Sequence, residues 1–297
     1  MTDAARNADR LITQLRGYRR VAVAFSGGVD SSVVAAAAHR AGLDWVIAVT
    51  ADSPSVPRWQ LDLAQRIAAE IGIAHHLLAT SETSREDYRR NDSDRCFFCK
   101  ETLYNSLARF CDAQRTELSA RESGRSESFP VVMVSGTNFD DLGDYRPGIE
   151  AGRMNEVQTP LADLGLGKAE VRELGRHFGL SNHDLPASPC LASRIAYGVQ
   201  VTPERLRKVE LAEAWIREHG FRDCRVRLHP DELARVEVPS SEMSRLFELS
   251  SSMANQFRNL GFQFVTIDLE GFQSGKMNRV VVPLGMPVRE GRRETVQ

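Results

Sequence analysis

Residues 18–32, Tyr18-Arg19-Arg20-Val21-Ala22-Val23-Ala24-Phe25 running directly into Ser26-Gly27-Gly28-Val29-Asp30-Ser31-Ser32, decide the fold. The run from Val21 to Phe25 is apolar and β-branched without polar alternation, as expected of a parallel strand buried on both faces. The alanine-rich stretch VVAAAAHRAG (33–42) behind it predicts a helix closed by Gly42. Between them, Gly27 and Gly28 lack Cβ atoms, so the backbone can turn sharply and approach an anion. The helix that follows offers unpaired N–H groups and the positive end of its dipole. Ser26 and Ser31 add hydroxyl donors. Asp30 does not favour a bare phosphate, and its expected task is to hold Mg²⁺ or to order the loop. Neither the lysine-bearing phosphate loop nor G-x-G-x-x-G is present here. The alternative is an ordinary glycine-rich turn. Its place at the carboxyl end of a first strand, where open α/β sheets bind ligands, favours the phosphate site.

The same beat continues outward. A short amphipathic helix is expected over residues 4–16, a strand over 45–52, a helix over 57–72, a strand at IAHHLLAT, a helix over 98–112 and a strand over 131–138. Strands alternating with helices predict an open parallel sheet. The polar, Ser- and Arg-rich stretch 114–129 reads as a surface insertion. Texture changes over 181–203, which holds prolines and no clear period, and the domain boundary is placed there. A first domain of residues 1–187 and a smaller α+β domain of residues 188–297 result. In the second, a helix is expected from Pro203 to Gly220, then a strand CRVRLH, a helix over about 240–260 and a strand FQFVTIDL.

Composition narrows the class. The 297 residues are 42% hydrophobic and 26% charged, which supplies a core and excludes global disorder. Lys+Arg number 38 against 40 Asp+Glu, a formal charge of −2, which disfavours a basic nucleic-acid binder. No run is long and apolar enough to span a membrane. The start, MTDAARNADRLITQLRG, carries acids and no apolar stretch suited to a secretory signal. With an odd count of five cysteines, this predicts a reducing, cytoplasmic setting.

Cys96 and Cys99 form a C-x-x-C flanked by Arg95 and Lys100, a setting expected to favour thiolate. Cys190 lies alone in Pro189-Cys190-Leu191-Ala192-Ser193-Arg194. Two clustered cysteines and one distant one make a plausible three-thiolate set for a [4Fe–4S] cluster, one short of the usual four. Zinc or a redox disulfide at Cys96/Cys99, with an inert Cys190, is the alternative. Cys111 and Cys224 are read as core. His75 and His76 are neighbours on a strand and point oppositely, so both are read as structural. In SGTNFDDLGDYRPG (135–148), Asp140, Asp141 and Asp144 are candidate Mg²⁺ ligands and Arg146 a phosphate or carboxylate partner. Asp141 is preferred as ligand, with Thr137 and Asn138 nearest the nucleotide.

SGGVDS after strand one resembles the pyrophosphate loop of the ATP-pyrophosphatase superfamily, whose members activate an oxygen with ATP and release pyrophosphate. DRCFFCK, SGTNFDDLGDYRPG, TPLADLGLGKAEVRELGRHFGL (159–180), PCLASRIAYG (189–198) and DLEGFQSGKMN (268–278) follow in order. Together they resemble the LarE family of ATP-dependent sulfur transferases in nickel-pincer nucleotide cofactor biosynthesis. The resemblance implies an open Rossmann-like sheet of the adenine nucleotide alpha hydrolase type. It implies ATP held by Ser26, Gly27, Gly28, Asp30, Ser31 and Ser32 with Mg²⁺, and a small mononucleotide substrate. It implies no nucleic acid or membrane partner, and a homo-oligomeric assembly, trimeric or hexameric. One branch sacrifices the sulfur of a cysteine at the position of Cys190. The other holds [4Fe–4S] on three cysteines, which here are Cys96, Cys99 and Cys190. The resemblance also places Arg225 and Arg227 at the substrate phosphate, where Ser193 and Arg194 are candidates too, with Glu213 and Glu237 weaker ones. The rival readings are a tRNA thiolase, an amide-forming ligase such as NAD synthetase, and a cluster-based nucleotide or redox sensor without turnover.

Overall fold

The strand, loop and helix read from residues 18–42 are all present in the computed structural model, which describes residues 2–121, 129–143, 147–186 and 188–273. The chain divides into two compact units, Met1–Glu210 and Leu211–Gln297. In the first, the order is α1 (Asp3–Arg16), β1 (Arg20–Ala24), α2 (Val29–Arg40), β2 (Trp45–Asp52), α3 (Arg58–Ile71) and β3 (Ala74–Ala79). Then come α4 (Glu86–Arg89), α5 (Arg95–Arg121), β4 (Val132–Ser135), α6 (Pro147–Met154), α7 (Pro160–Asp163) and α8 (Lys168–His177). Helix α9 (Pro203–Glu218) carries the division between the units.

The four strands form a parallel sheet in the order β3-β2-β1-β4. Its central strand lacks polar alternation because both faces are covered. Val21 and Val23 join a core built with α1, α2 and α8, whereas Ala22 joins Val49, Leu107 and Cys111 beneath α5. Small residues let α2 lie close to the sheet: Ala35 through Ala38 are all buried.

In the second unit, β5 (Arg225–His229) pairs antiparallel with β6 (Leu233–Glu237), and β6 pairs parallel with β7 (Phe264–Ile267). Helices α10 (Met243–Glu248) and α11 (Ser250–Asn259) stand where one helix over 240–260 was expected, with the break at Leu249.

Three other expectations shift. Residues 98–112 belong to a longer helix that begins at Arg95 and takes in 114–121 of the supposed insertion; 122–128 lie outside the described residues. The division falls at Glu210 rather than at 187, because the irregular segment bonds back to the first unit. Leu191 N donates to Ser55 O at 2.9 Å and Val201 N to Arg89 O at 2.8 Å. Strand β6 was not foreseen at all, and its turn uses Asp231 and Glu232 at φ 58° and 52°. Those angles suit a tight hairpin, but the sequence there lacks the Asn-Gly or Asp-Gly signal.

Candidate active site

Strands β1 and β4 are parallel neighbours, with Ala24 opposite Ser135. From β1 the chain builds outward to β2 and β3 on one side and reaches β4 on the other later, so a topological switch point lies between β1 and β4. The loops leaving both strands meet there. Gly136 permits the approach, since a Cβ on it would lie 2.5 Å from Ser31 N. Gly27 has φ 72°, and a Cβ there would come within 2.8 Å of Ala64 Cα on α3.

The loop is braced from within. Ser31 Oγ accepts from Ser26 N at 3.2 Å and donates to Gly28 O at 3.1 Å, and Ser26 Oγ accepts from Gly28 N at 3.3 Å. Asn182 Nδ2 donates to Gly27 O at 2.8 Å and to Ser32 Oγ at 2.9 Å. Ser31 and Ser32 are buried and Ser26 is exposed. Of the three serines expected near a phosphate, Ser26 therefore faces outward, while the other two hold the loop's shape.

Asn138 is wholly buried and donates through Nδ2 to Asp30 Oδ1 at 3.3 Å, while its own Oδ1 accepts from Asp141 N at 3.2 Å. Burial is the main cause that holds the Asp30 carboxyl above its ordinary range; the Asn138 bond opposes the rise and the Asp141 carboxylate adds to it. Two oxygen donors that repel one another across a half-buried loop suit a hard divalent cation such as Mg²⁺. Thr137 Oγ1 stands 3.1 Å from Ser135 Oγ. Asp140 accepts from Lys168 N at 2.7 Å and so caps α8. Asp144 and Arg146 lie outside the described residues.

A cleft of about 220 Å³ opens at this point, with Ser26, Asp30, Trp59, Gln60, Lys168 and Arg172 in its lining. Lys168 Nζ stands 3.7 Å from Asp141 Oδ1. The last four had not been singled out. For Lys168 and Arg172 the signal was there: they open α8 at i,i+4 spacing, and so share a face.

Cys96 and Cys99 fall in the opening of α5, and Cys190 immediately precedes a 3₁₀ turn over Leu191–Arg194. Cys96 is exposed; Cys99 and Cys190 are half-buried. The thiols act on one another. Burial first, then Cys190, with Glu82 and Cys96 adding, pushes the Cys99 thiol well above its ordinary range. The thiolate expected at Cys99 is thus disfavoured, although Lys100 opposes the rise, while the Arg95 guanidinium donates to Asn91 Oδ1 and to Ala192 O and also bonds Cys96. Among the described residues, no three His, Cys, Asp or Glu side chains are gathered to share one metal ion. Cys111 is core, its thiol pushed up to about 12 by burial. Cys224 is wholly buried. His75 Nε2 meets Thr50 Oγ1 at 2.7 Å and His76 stacks on Phe110, so both are structural.

Ser193 and Arg194 turn inward. Ser193 Oγ donates to Cys190 O at 2.7 Å, and the fully buried Arg194 donates through Nη1 to Pro189 O, to Cys190 O at 3.0 Å and to Ser193 Oγ at 3.1 Å. They shape the turn that carries the thiol. In the second unit, Arg225 lies over the Phe272 ring, and Arg227 Nη2 pairs with Glu237 Oε2 at 2.9 Å in a buried contact. Glu213, also buried, accepts from Arg217 Nη2 at 2.7 Å and from Val226 N at 3.2 Å.

A family described as asparagine synthase matches residues 8–92, which span the glycine-rich loop. An uncharacterized protein of Synechocystis sp. is 40% identical over 264 residues, 88% of this chain and 93% of that protein. The pyridinium-3,5-bisthiocarboxylic acid mononucleotide synthase of Lactiplantibacillus plantarum is 31% identical over 279 residues, 94% of this chain and 96% of its own. The chain belongs to the LarE family. A shorter likeness, 30% over 184 residues, links it to the tRNA-specific 2-thiouridylase MnmA of Trichlorobacter lovleyi, covering 54% of this chain and 51% of that one. The LarE blocks now have places: SGGVDS joins β1 to α2, DRCFFCK opens α5, SGTNFDD leaves β4 and PCLASR carries Cys190. The final SGKMN lies outside the described residues.

Proposed function

We propose that this chain is an ATP-dependent sulfur transferase of nickel-pincer nucleotide cofactor biosynthesis. It adenylylates a carboxylate of pyridinium-3,5-biscarboxylic acid mononucleotide and converts it to a thiocarboxylate. The observation that carries the reading is the meeting of Asp30, Asn138 and Asp141 at the β1/β4 switch point, where the glycine-rich loop meets the loop leaving β4.

The carboxylate oxygen attacks the α-phosphorus of ATP, and the bond to the β-phosphate breaks to release pyrophosphate. Ser26 and the amides of the 26–32 loop bind the departing anion, and Lys168 and Arg172 add positive charge from α8. Asp30 and Asp141 would hold Mg²⁺, with Thr137 and Asn138 beside the nucleotide. Sulfur then attacks the acyl carbon and AMP leaves with the electron pair of the broken C–O bond. If Cys190 is the donor, loss of its Cα proton breaks the Cβ–Sγ bond and leaves dehydroalanine. A [4Fe–4S] cluster bound by Cys96, Cys99 and Cys190 would supply sulfide at its fourth iron. The three sulfurs are the soft donors that such a cluster takes. Arg225, only partly buried over the Phe272 ring, is left as the candidate for the substrate phosphate, whereas Arg227 is committed to Glu237 in a buried pair; Ser193 and Arg194 act through the Cys190 turn.

The test is anaerobic incubation with MgATP and the pyridinium mononucleotide, followed by mass spectrometry. AMP, pyrophosphate and thiocarboxylate in equal amounts are expected. Pyrophosphate release stimulated by tRNA and not by the mononucleotide would move the protein to the tRNA thiolases. ATP binding without any pyrophosphate would make it a sensor.

A further inference from the structure

One buried pair of side chains joins the segment ahead of α5 to the segment that carries Cys190. Asn91 is 0% exposed and sits at φ 63°, in the left-handed region that Asn tolerates better than most residues. Its Nδ2 donates to Ala196 O at 2.7 Å, to Val199 O at 2.9 Å and to Ile195 O at 3.3 Å. Its Oδ1 accepts from Arg95 Nη1, and the same Nη1 donates to Ala192 O at 2.8 Å. Arg95 is itself buried and immediately precedes Cys96, while Ala192 stands two residues after Cys190. A single guanidinium therefore spans the turns that present the two halves of the thiol set. Further bonds run beside it: Gly198 N to Asn91 O at 3.3 Å, and Leu191 N to Ser55 O, whose hydroxyl meets Tyr88 Oη at 2.6 Å.

Burying a guanidinium and a carboxamide costs desolvation energy, and an apolar pair of similar volume often stabilises as well or better. What the polar pair adds is directional constraint on three backbone carbonyls beyond Ala192. We propose that Asn91 and Arg95 are positioning residues, a clamp that fixes Cys190 relative to Cys96 and Cys99 so that the three thiols work as one set. The proposal deepens the sulfur-transfer reading and rests on it.

The clamp is tested on iron-free, full-length protein with dibromobimane, which links pairs of nearby thiols, followed by peptide mapping. The ratio read is Cys190-to-Cys96/Cys99 links over Cys96-to-Cys99 links. The second link lies within one turn of α5 and reports that the helix is intact. Asn91→Gly accepts the left-handed backbone freely and deletes only the carboxamide, and Arg95→Met deletes the donors. Both are expected to lower the ratio about tenfold, and Arg95→Lys, which keeps a donor, to restore most of it. An unchanged ratio in folded variants would reduce the pair to a core brace and overturn the proposal. Should Arg95→Met not fold, Asn91→Gly alone decides. A lowered ratio with thiocarboxylate formation at the wild-type rate would also overturn it, because convergence would then serve no transfer. A wild type that links its thiols but forms no thiocarboxylate leaves the clamp geometry standing and removes the function proposed above.

Discussion

Asn138 Nδ2 donates to Asp30 Oδ1 at 3.3 Å, which ties the loop leaving β4 to the first turn of α2. The amide supports a carboxylate that burial would rather keep protonated. Asn138→Ala removes that support and leaves polar groups unpaired. A loss of about 10-fold or more in pyrophosphate release is expected, with about 1–3 kcal/mol of stability lost in urea unfolding. Wild-type release by a folded Asn138→Ala protein would contradict the role given to this loop.

The same junction depends on backbone contact. A Cβ at Gly136 would sit 2.5 Å from Ser31 N and 2.8 Å from Asp30 C, atoms that cannot swing aside. Gly136→Ala is expected to cost about 1–3 kcal/mol and to weaken ATP binding, measured by titration calorimetry. Gly143→Ala is the control: among the described residues nothing lies within 4 Å of a Cβ placed there, and a change under about 0.5 kcal/mol is expected.

Ion pairs in the two units differ in depth. Arg227 and Glu237 expose 7% and 0% of their side chains, and Arg235 Nη2 also reaches Glu237 Oε1 at 3.2 Å. Glu237→Ala removes the buried carboxylate from Arg227, while Arg235 keeps Asp268 Oδ2 at 3.3 Å, and is expected to cost about 3–5 kcal/mol. The Arg58–Asp52 pair is 45% and 41% exposed, so Asp52→Asn is expected to cost no more than about 1 kcal/mol. Equal losses in denaturant midpoints would refute the distinction.

Two histidines give the stability a pH dependence. Burial is the chief cause that lowers His75 and His229 below the ordinary 6.5, helped by His76 and by Arg235 respectively. As pH falls, the unfolded chain takes up these protons first. Their contribution is present above about 6.5 and is lost as pH drops through the lower folded values. A His75→Gln, His229→Gln protein should show a shallower loss of stability between about pH 7.5 and pH 5 than wild type. An identical slope would show that other groups carry it.

The sheet could be read from sequence because its signals are local and repeated. Val21–Phe25, Trp45–Asp52 and the turns closed by Gly42 and Gly72 each mark their own boundaries. The glycine-rich loop was legible for the same reason, as was the C-x-x-C. What sequence did not disclose depends on contacts across long stretches of chain. Lys168 enters the cleft only because α8 packs on α2, and Arg194 turns inward only because the Cys190 turn wraps its guanidinium. Asn91 shows nothing unusual in sequence, yet it meets carbonyls more than a hundred residues away. The division at Glu210 was missed because Pro and Ser texture marks irregular backbone, and here that backbone is bonded firmly to the first unit.

The claim on which the account depends most is that Cys96, Cys99 and Cys190 act together. Iron and acid-labile sulfide analysis of anaerobically purified protein tests it, with wild type beside Cys96→Ala, Cys99→Ala and Cys190→Ala. Iron and sulfide in equal amounts in the wild type, lost in each single variant, are the predicted result. A colourless, iron-free wild type whose single-turnover thiolation survives Cys96→Ala and Cys99→Ala but not Cys190→Ala would contradict it and leave Cys190 as a lone sacrificial donor.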